Sequence, residues 1–191
     1  LQLRKNHKFW RRPKNETRTP PSKNEAVGYI WHMITQRETS FMQQAIAESL
    51  EGMEGGHGGP FGCVVVQNNR IIAAAHNEVL LTNDPTAHAE VVAIRRACAA
   101  LGSFQLTGCE VYCSCEPCPM CFGALYWARP AKIFFANTKQ DAAAIGFDDA
   151  FIYAQLALPA TAQTIPMMAI ALPAAKAVFD AWAAKGNKHL Y

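Results

Sequence analysis

No apolar run in this 191-residue chain approaches the ~18 residues that a membrane-spanning helix requires. The first residues also lack the apolar core of a secretory signal, so a soluble, cytoplasmic protein without a membrane partner is expected. The pattern of a disulfide framework is missing too. The seven cysteines are odd in number, and Cys113, Cys115, Cys118 and Cys121 crowd into nine positions, which suits thiolate chemistry in a reducing compartment. The glycines around Gly55–Gly59 are not followed by the Lys-Ser/Thr of a phosphate-binding loop. Positive charge is scarce where a nucleic-acid reader would need it. Residues 1–38 hold nine basic and three acidic residues, whereas residues 39–191 hold nine basic and twelve acidic ones, 9 − 12 = −3. A phosphate backbone needs clustered Lys and Arg, so no nucleic-acid partner is expected. Internal repeats are absent as well.

What remains is a chain of ordinary single-domain size, half of it apolar, long enough to bury a core without staples. Residues 1–36 are basic and polar, with Pro13, Pro20 and Pro21, and read as a disordered extension. A nucleic-acid arm, a targeting segment or a start set too early, with Met33 the better beginning, are the other readings. Residues 37–191 read as the folded domain. Its first helix is expected to open at Thr39-Ser40, where Ser40 and Gln43 have capping-box spacing, with Met42, Ile46, Leu50 and Met53 facing inward. Within the following glycine loop, His57 is read as solvated.

Phe61–Gln67 and Arg70–His76 are β-prone runs around Asn68-Asn69, which predicts a hairpin. Asp84-Pro85 has the form of a helix N-cap, opening a helix to about Ala100 with Val91, Ile94 and Cys98 inward. Strands are expected at Glu110–Cys115 and Lys132–Asn137, with a helix between them from Pro117-Pro119 to Arg129. Short helices follow at Asp141–Ile145 and Phe151–Leu158. A fifth strand, at an edge, is expected over Thr164–Leu172, and a last helix over Pro173–Lys185. The sum is an α/β fold: a three-layer αβα sandwich with one five-stranded mixed sheet.

Two stretches carry the chemistry. The first is Asp84-Pro85-Thr86-Ala87-His88-Ala89-Glu90, and the second is Cys115-Glu116-Pro117-Cys118-Pro119-Met120-Cys121. A catalytic zinc wants three protein ligands and one open position, which His88, Cys118 and Cys121 supply. Both segments are expected at helix N-termini, where the macrodipole favours thiolates. Glu90, two residues past His88, suits a proton shuttle. An iron–sulfur run of the ferredoxin type would need a cysteine at position 125, which is Leu125. Cys113 and Cys115 are read as small buried residues of the strand leading into the site.

The His-x-Glu and Pro-Cys-x-x-Cys pair is the signature of zinc-dependent base deaminases. From about Ser40 onward the chain resembles the bacterial guanine deaminases of the cytidine-deaminase-like superfamily. The resemblance is carried by Gly59-Pro60-Phe61-Gly62, Asn83 to Glu90, Ser114 to Cys121, Tyr126 to Pro130 and Gly146 to Tyr153. It implies one Zn2+ per subunit and hydrolysis of guanine at carbon 2 to xanthine and ammonia. It also implies that Asn77, Asp149 and Tyr191 contact the purine, and that a homodimer forms, domain-swapped through the C-terminal tail. The alternatives are a guanosine deaminase, a tRNA-adenosine deaminase, which shares the zinc motifs but needs a basic surface, and an inactive zinc-binding interaction module. The presence of Glu90 opposes the last.

Overall fold

The computed structural model describes residues 34–189; residues 1–33 of the basic extension and Tyr191 lie outside them. Strands β1 (Gly62–Gln67), β2 (Arg70–His76), β3 (Glu110–Cys115) and β4 (Lys132–Asn137) form one mixed sheet in the order β2-β1-β3-β4. The hairpin turns at Asn68 and Asn69, both left-handed with φ of 51° and 61°, as a tight two-residue turn requires. β1 runs antiparallel to β2 and β3, whereas β3 and β4 are parallel. A parallel pair demands a crossover, here helix α4 (Pro119–Ala128).

Because strand side chains alternate between faces, the sheet sorts its residues into two cores. Val64, Val66 and Tyr112 meet Ala45 of helix α1 (Gln36–Glu54) on one face. Cys63, Val65, Val111 and Cys113 pack on the other with Val92, Ala93 and Ala97 of helix α3 (Ala89–Leu101) and Leu125 of α4. The expected three layers are therefore present.

The sheet has four strands among the described residues, not five. Thr164–Leu172 forms no strand, because Pro166 cannot donate to a ladder and no strand of the sheet pairs with this stretch. Beyond Ala128 no described residue is buried. Helices α5 (Lys139–Ala144), α6 (Ala150–Leu156) and α7 (Pro173–Ala184) belong to this exposed part. No helix among the described residues is long and apolar enough to cross a membrane.

Helix α1 departs from expectation in start and in face. It begins at Gln36 rather than at Thr39-Ser40, and Arg37 ties its first turn to the sheet by bonding Glu110 (2.7 Å) and Glu38 (2.9 Å). Its buried residues are Ala45 and Gly52, while Ile46, Leu50 and Met53 are close to half exposed. The reason is proximity. A Cβ on Gly62 of β1 would collide with the carbonyl oxygen of Ala45 and come within 2.6 Å of the Ser49 nitrogen, and one on Gly52 would stand 2.6 Å from the His76 side chain. Where the helix lies this close to the sheet it presents small residues inward, while Phe41 and Met42 pack on the sheet core nearer its start. Likewise in α3, Val92, Ala93 and Ala97 are buried and Val91, Ile94 and Cys98 only partly so.

Gly62→Ala should therefore destabilise the protein by about 1–3 kcal/mol, the usual cost of overpacking a fitted core. Urea denaturation followed by circular dichroism measures this, and an unchanged midpoint would show that α1 can move away from β1 freely.

Candidate active site

The two ligand-bearing segments enter their helices in the same way. His88 is the N-cap of α3, extended at φ −66° and ψ 153°, and Cys118 is the N-cap of α4 at φ −64° and ψ 169°, followed by Pro119. Asp84, expected as the cap, instead closes a turn by accepting from the Thr86 amide (2.8 Å) and hydroxyl (2.7 Å). A short helix α2 (Val79–Thr82), which the sequence did not announce, precedes it. An N-cap side chain ordinarily accepts from its own helix; neither His88 nor Cys118 does so. Both are left free to converge on one point.

Cys121 completes the convergence from the first turn of α4. The Nδ1 atom of His88 lies 3.6 Å from Sγ of Cys118 and 3.5 Å from Sγ of Cys121, and the three ligand atoms lie within 4.8 Å of one another. Tetrahedral bonds of about 2.3 Å to sulfur and 2.0–2.1 Å to nitrogen place those atoms about 3.6 Å apart. The residues fit a zinc ion through Nδ1 and two sulfurs, leaving a fourth position open.

Charge in the cluster is arranged to match. A hydrogen bond with Cys121, then His88, pulls the Cys118 thiol down to about 4 despite burial. Cys121, the donor of that pair, is pushed up, and His88 is raised by its hydrogen bond with Cys118. Glu90, 8% exposed, is raised by burial.

A cavity of about 250 Å³ opens over this cluster, with His88, Glu90 and Cys118 in its wall. Phe61, Phe147, Ser114, Glu116, Lys139 and Asp149 also line it. Phe61 and Phe147 meet edge to face with ring centroids 4.9 Å apart. Asp149, the N-cap of α6, has its carboxyl raised by desolvation and then by the nearby Cys118, with Lys139 opposing. The structure thus brings His88, Glu90, Cys118, Cys121 and Asp149 together. Asn77 is buried at the end of β2, where its Oδ1 accepts from the Val79 amide (3.2 Å), and it is not among the residues lining this cavity. Tyr191 lies outside the described residues.

Sequence reasoning gave no role to Phe61, Phe147, Ser114, Glu116 or Lys139, although most of them sit inside the segments it singled out. Phe147 belongs to Gly-Phe-Asp-Asp and Phe61 to Gly-Pro-Phe-Gly. What it lacked was the pairing between them across 86 positions.

The cytidine and deoxycytidylate deaminase zinc-binding region matches residues 35–137. The guanine deaminase of Bacillus subtilis is 50% identical over 152 residues, spanning 80% of this chain and 97% of that protein. Its crystal structure superposes with a TM-score of 0.79 at 48% identity, covering 83% of this chain and 99% of the other. The tRNA-specific adenosine deaminase of Aquifex aeolicus is 43% identical over 96 residues, 50% of this chain and 63% of the relative. A guanine deaminase structure from Nitrosomonas europaea gives a TM-score of 0.56 at 31% identity, covering 61% of this chain and 66% of that one. Since nearly the full length of the Bacillus relative aligns at half of its residues, the chain belongs to the guanine deaminases of the cytidine and deoxycytidylate deaminase zinc-binding family.

Proposed function

We propose that the protein is a zinc-dependent hydrolase that converts guanine and water to xanthine and ammonia. The observation that carries this reading is the reach of the alignment. The guanine deaminase match extends over 97% of the relative, whereas the Aquifex tRNA-adenosine deaminase match stops at half of this chain. The shared zinc region ends at residue 137. The cavity wall formed by Lys139, Phe147 and Asp149 lies beyond it, so the common part supplies hydrolysis and the added part selects the base. The mildly acidic balance of residues 39–191 favours a small purine over tRNA.

His88, Cys118 and Cys121 would hold one zinc per chain, which when bound lowers the pKa of a coordinated water to about 7. Glu90 takes the proton of the attacking water, passes it to a ring nitrogen beside carbon 2, and assists departure of the amine as ammonia. Its burial favours the protonated carboxyl needed between those steps. Asp149, an acceptor when ionised, suits the several N–H groups of guanine. The Phe61–Phe147 pair supplies apolar contact to the ring; Asn77, whose Oδ1 holds the Val79 amide, would reach the purine edge only through its Nδ2 donor, and Tyr191 reaches the base through the tail.

The active form is proposed as a homodimer, domain-swapped through the C-terminal segment. Support comes from apolar residues with nothing over them: Ile165, Met168, Ile170 and Phe179 are 78%, 87%, 81% and 79% exposed. Large apolar side chains left this exposed suit an interface. Residues 1–36 stand apart as a basic extension to the catalytic domain at 37–191. Free thiols at all seven cysteines suit a reducing, cytoplasmic setting.

Ammonia release from the zinc-loaded protein should occur with guanine and not with guanosine, adenine or a tRNA anticodon hairpin. Turnover of the hairpin or of guanosine in preference to guanine would displace this reading. Glu90→Gln should keep a full zinc content by atomic absorption while kcat falls by roughly 10²–10⁴, the range for a lost general acid–base; retained turnover would remove Glu90 from its role. Mixing Glu90→Gln with a chain truncated after Gly186 should restore activity that neither has alone, since a swapped tail would complete the intact site. Two inert chains that stay inert when mixed would reject the swap.

A further inference from the structure

Behind the cavity, and outside the zinc cluster, runs a chain of polar side chains that the sequence gave no reason to connect. His57, expected to be solvated, is 2.8 Å from His76 through Nδ1 and Nε2, with the two rings stacked at 4.9 Å between centroids. Nδ1 of His76 is in turn 3.4 Å from Oε2 of Glu48 on α1. The order of donors follows from chemistry. A carboxylate accepts only, so His76 presents Nδ1–H to Glu48 and is left with Nε2 as an acceptor, and His57 must donate from Nδ1. His76 is 8% exposed and lies over Gly52, where a Cβ would stand 2.6 Å away, so the chain has little room to shift.

The loop that His57 anchors lies against two residues of the cavity wall, Phe61 and Phe147. The carbonyl of His57 accepts from the amides of Leu80 (2.9 Å) and Leu81 (3.0 Å), joining the loop to α2. A Cβ on Gly58 would collide with Oδ1 of Asn77, and one on Gly59 would come within 2.8 Å of Phe147 and 2.9 Å of Phe61. The Asn77 amide donates to the Phe61 carbonyl (2.9 Å). His57 thus holds the polar chain, Gly58 lies on Asn77, and Gly59 lies on the aromatic pair.

We infer that His57 is a positioning residue for purine binding: the Glu48–His76–His57 chain clamps the Gly58-Gly59 loop against Asn77, Phe61 and Phe147, and so sets the shape of the substrate pocket. The inference rests on the guanine reading only for its kinetic readout.

The experiment compares the zinc-loaded wild type with His57→Ala and His57→Asn, measuring kcat and KM for guanine together with amide exchange at Leu80 and Leu81. His57→Ala should raise KM roughly tenfold, about what a lost hydrogen bond costs, with kcat and zinc content little changed and faster exchange at both leucines. His57→Asn, whose Nδ2 stands in the place of Nδ1, should return KM toward the wild-type value. An unaltered KM in His57→Ala, or unaltered exchange at Leu80 and Leu81, overturns the inference. So does a loss of zinc and kcat with KM intact, which marks mere structural damage. A wild type that ignores guanine would sink the proposed reaction alone, because the exchange measurement still decides whether His57 holds the loop.

Discussion

The structure depends on two helix N-termini being aimed at one point. His88 and Cys118 occupy N-cap positions and withhold their side chains from capping, so each helix leaves polar N–H groups toward the shared site instead of closing them off. That arrangement has a cost, since a missing cap destabilises a helix by about 1 kcal/mol. A bound cation drawing both side chains together offsets it. The sheet makes the aim possible. β3 leads straight into the Cys118 turn, the parallel β3–β4 pair forces α4 to cross over, and β1 lies between β3 and the β2 strand that precedes α3.

Close packing carries this geometry outward. Gly62 and Gly52 let α1 lie almost backbone to backbone on the sheet, and the same α1 supplies Glu48 to the histidine pair behind the pocket. Arg37 and Tyr112 fasten the other end of that helix, with Tyr112 stacked on Phe134 at 4.7 Å and donating to Glu110 at 3.0 Å. The pocket rim thus inherits its position from a helix that contributes no residue to the cavity. The far wall of the cavity is built differently: Lys139, Phe147 and Asp149 come from beyond residue 137, in a part of the chain with no buried residue among those described.

Sequence and structure agree where a local rule decides. Asn68-Asn69 demanded positive φ and turned the hairpin where expected, and the strands at Glu110–Cys115 and Lys132–Asn137 have the predicted bounds. His88, Cys118 and Cys121 could be assigned to one metal because spacing and residue chemistry together restrict the choice. They disagree where the deciding fact is the distance to a neighbour. Apolar periodicity placed Met42, Ile46, Leu50 and Met53 inward, yet Ala45 and Gly52 are the buried residues of α1, Phe41 and Met42 pack beside them, and the other three are close to half exposed. The β-prone run at Thr164–Leu172 has the composition of a strand but pairs with neither edge of the sheet.

The sequence by itself determined the candidate metal cluster, the hairpin and the layered α/β class, because each rests on the character of residues at short fixed spacings. Only the tertiary structure decided which face of α1 is inward, that the sheet stops at four strands, that Phe61 meets Phe147, and that His57 is bonded to His76 rather than to water. These are matters of what lies across a gap of a few ångströms, and residues far apart in the chain share that gap only once the sheet has brought them together.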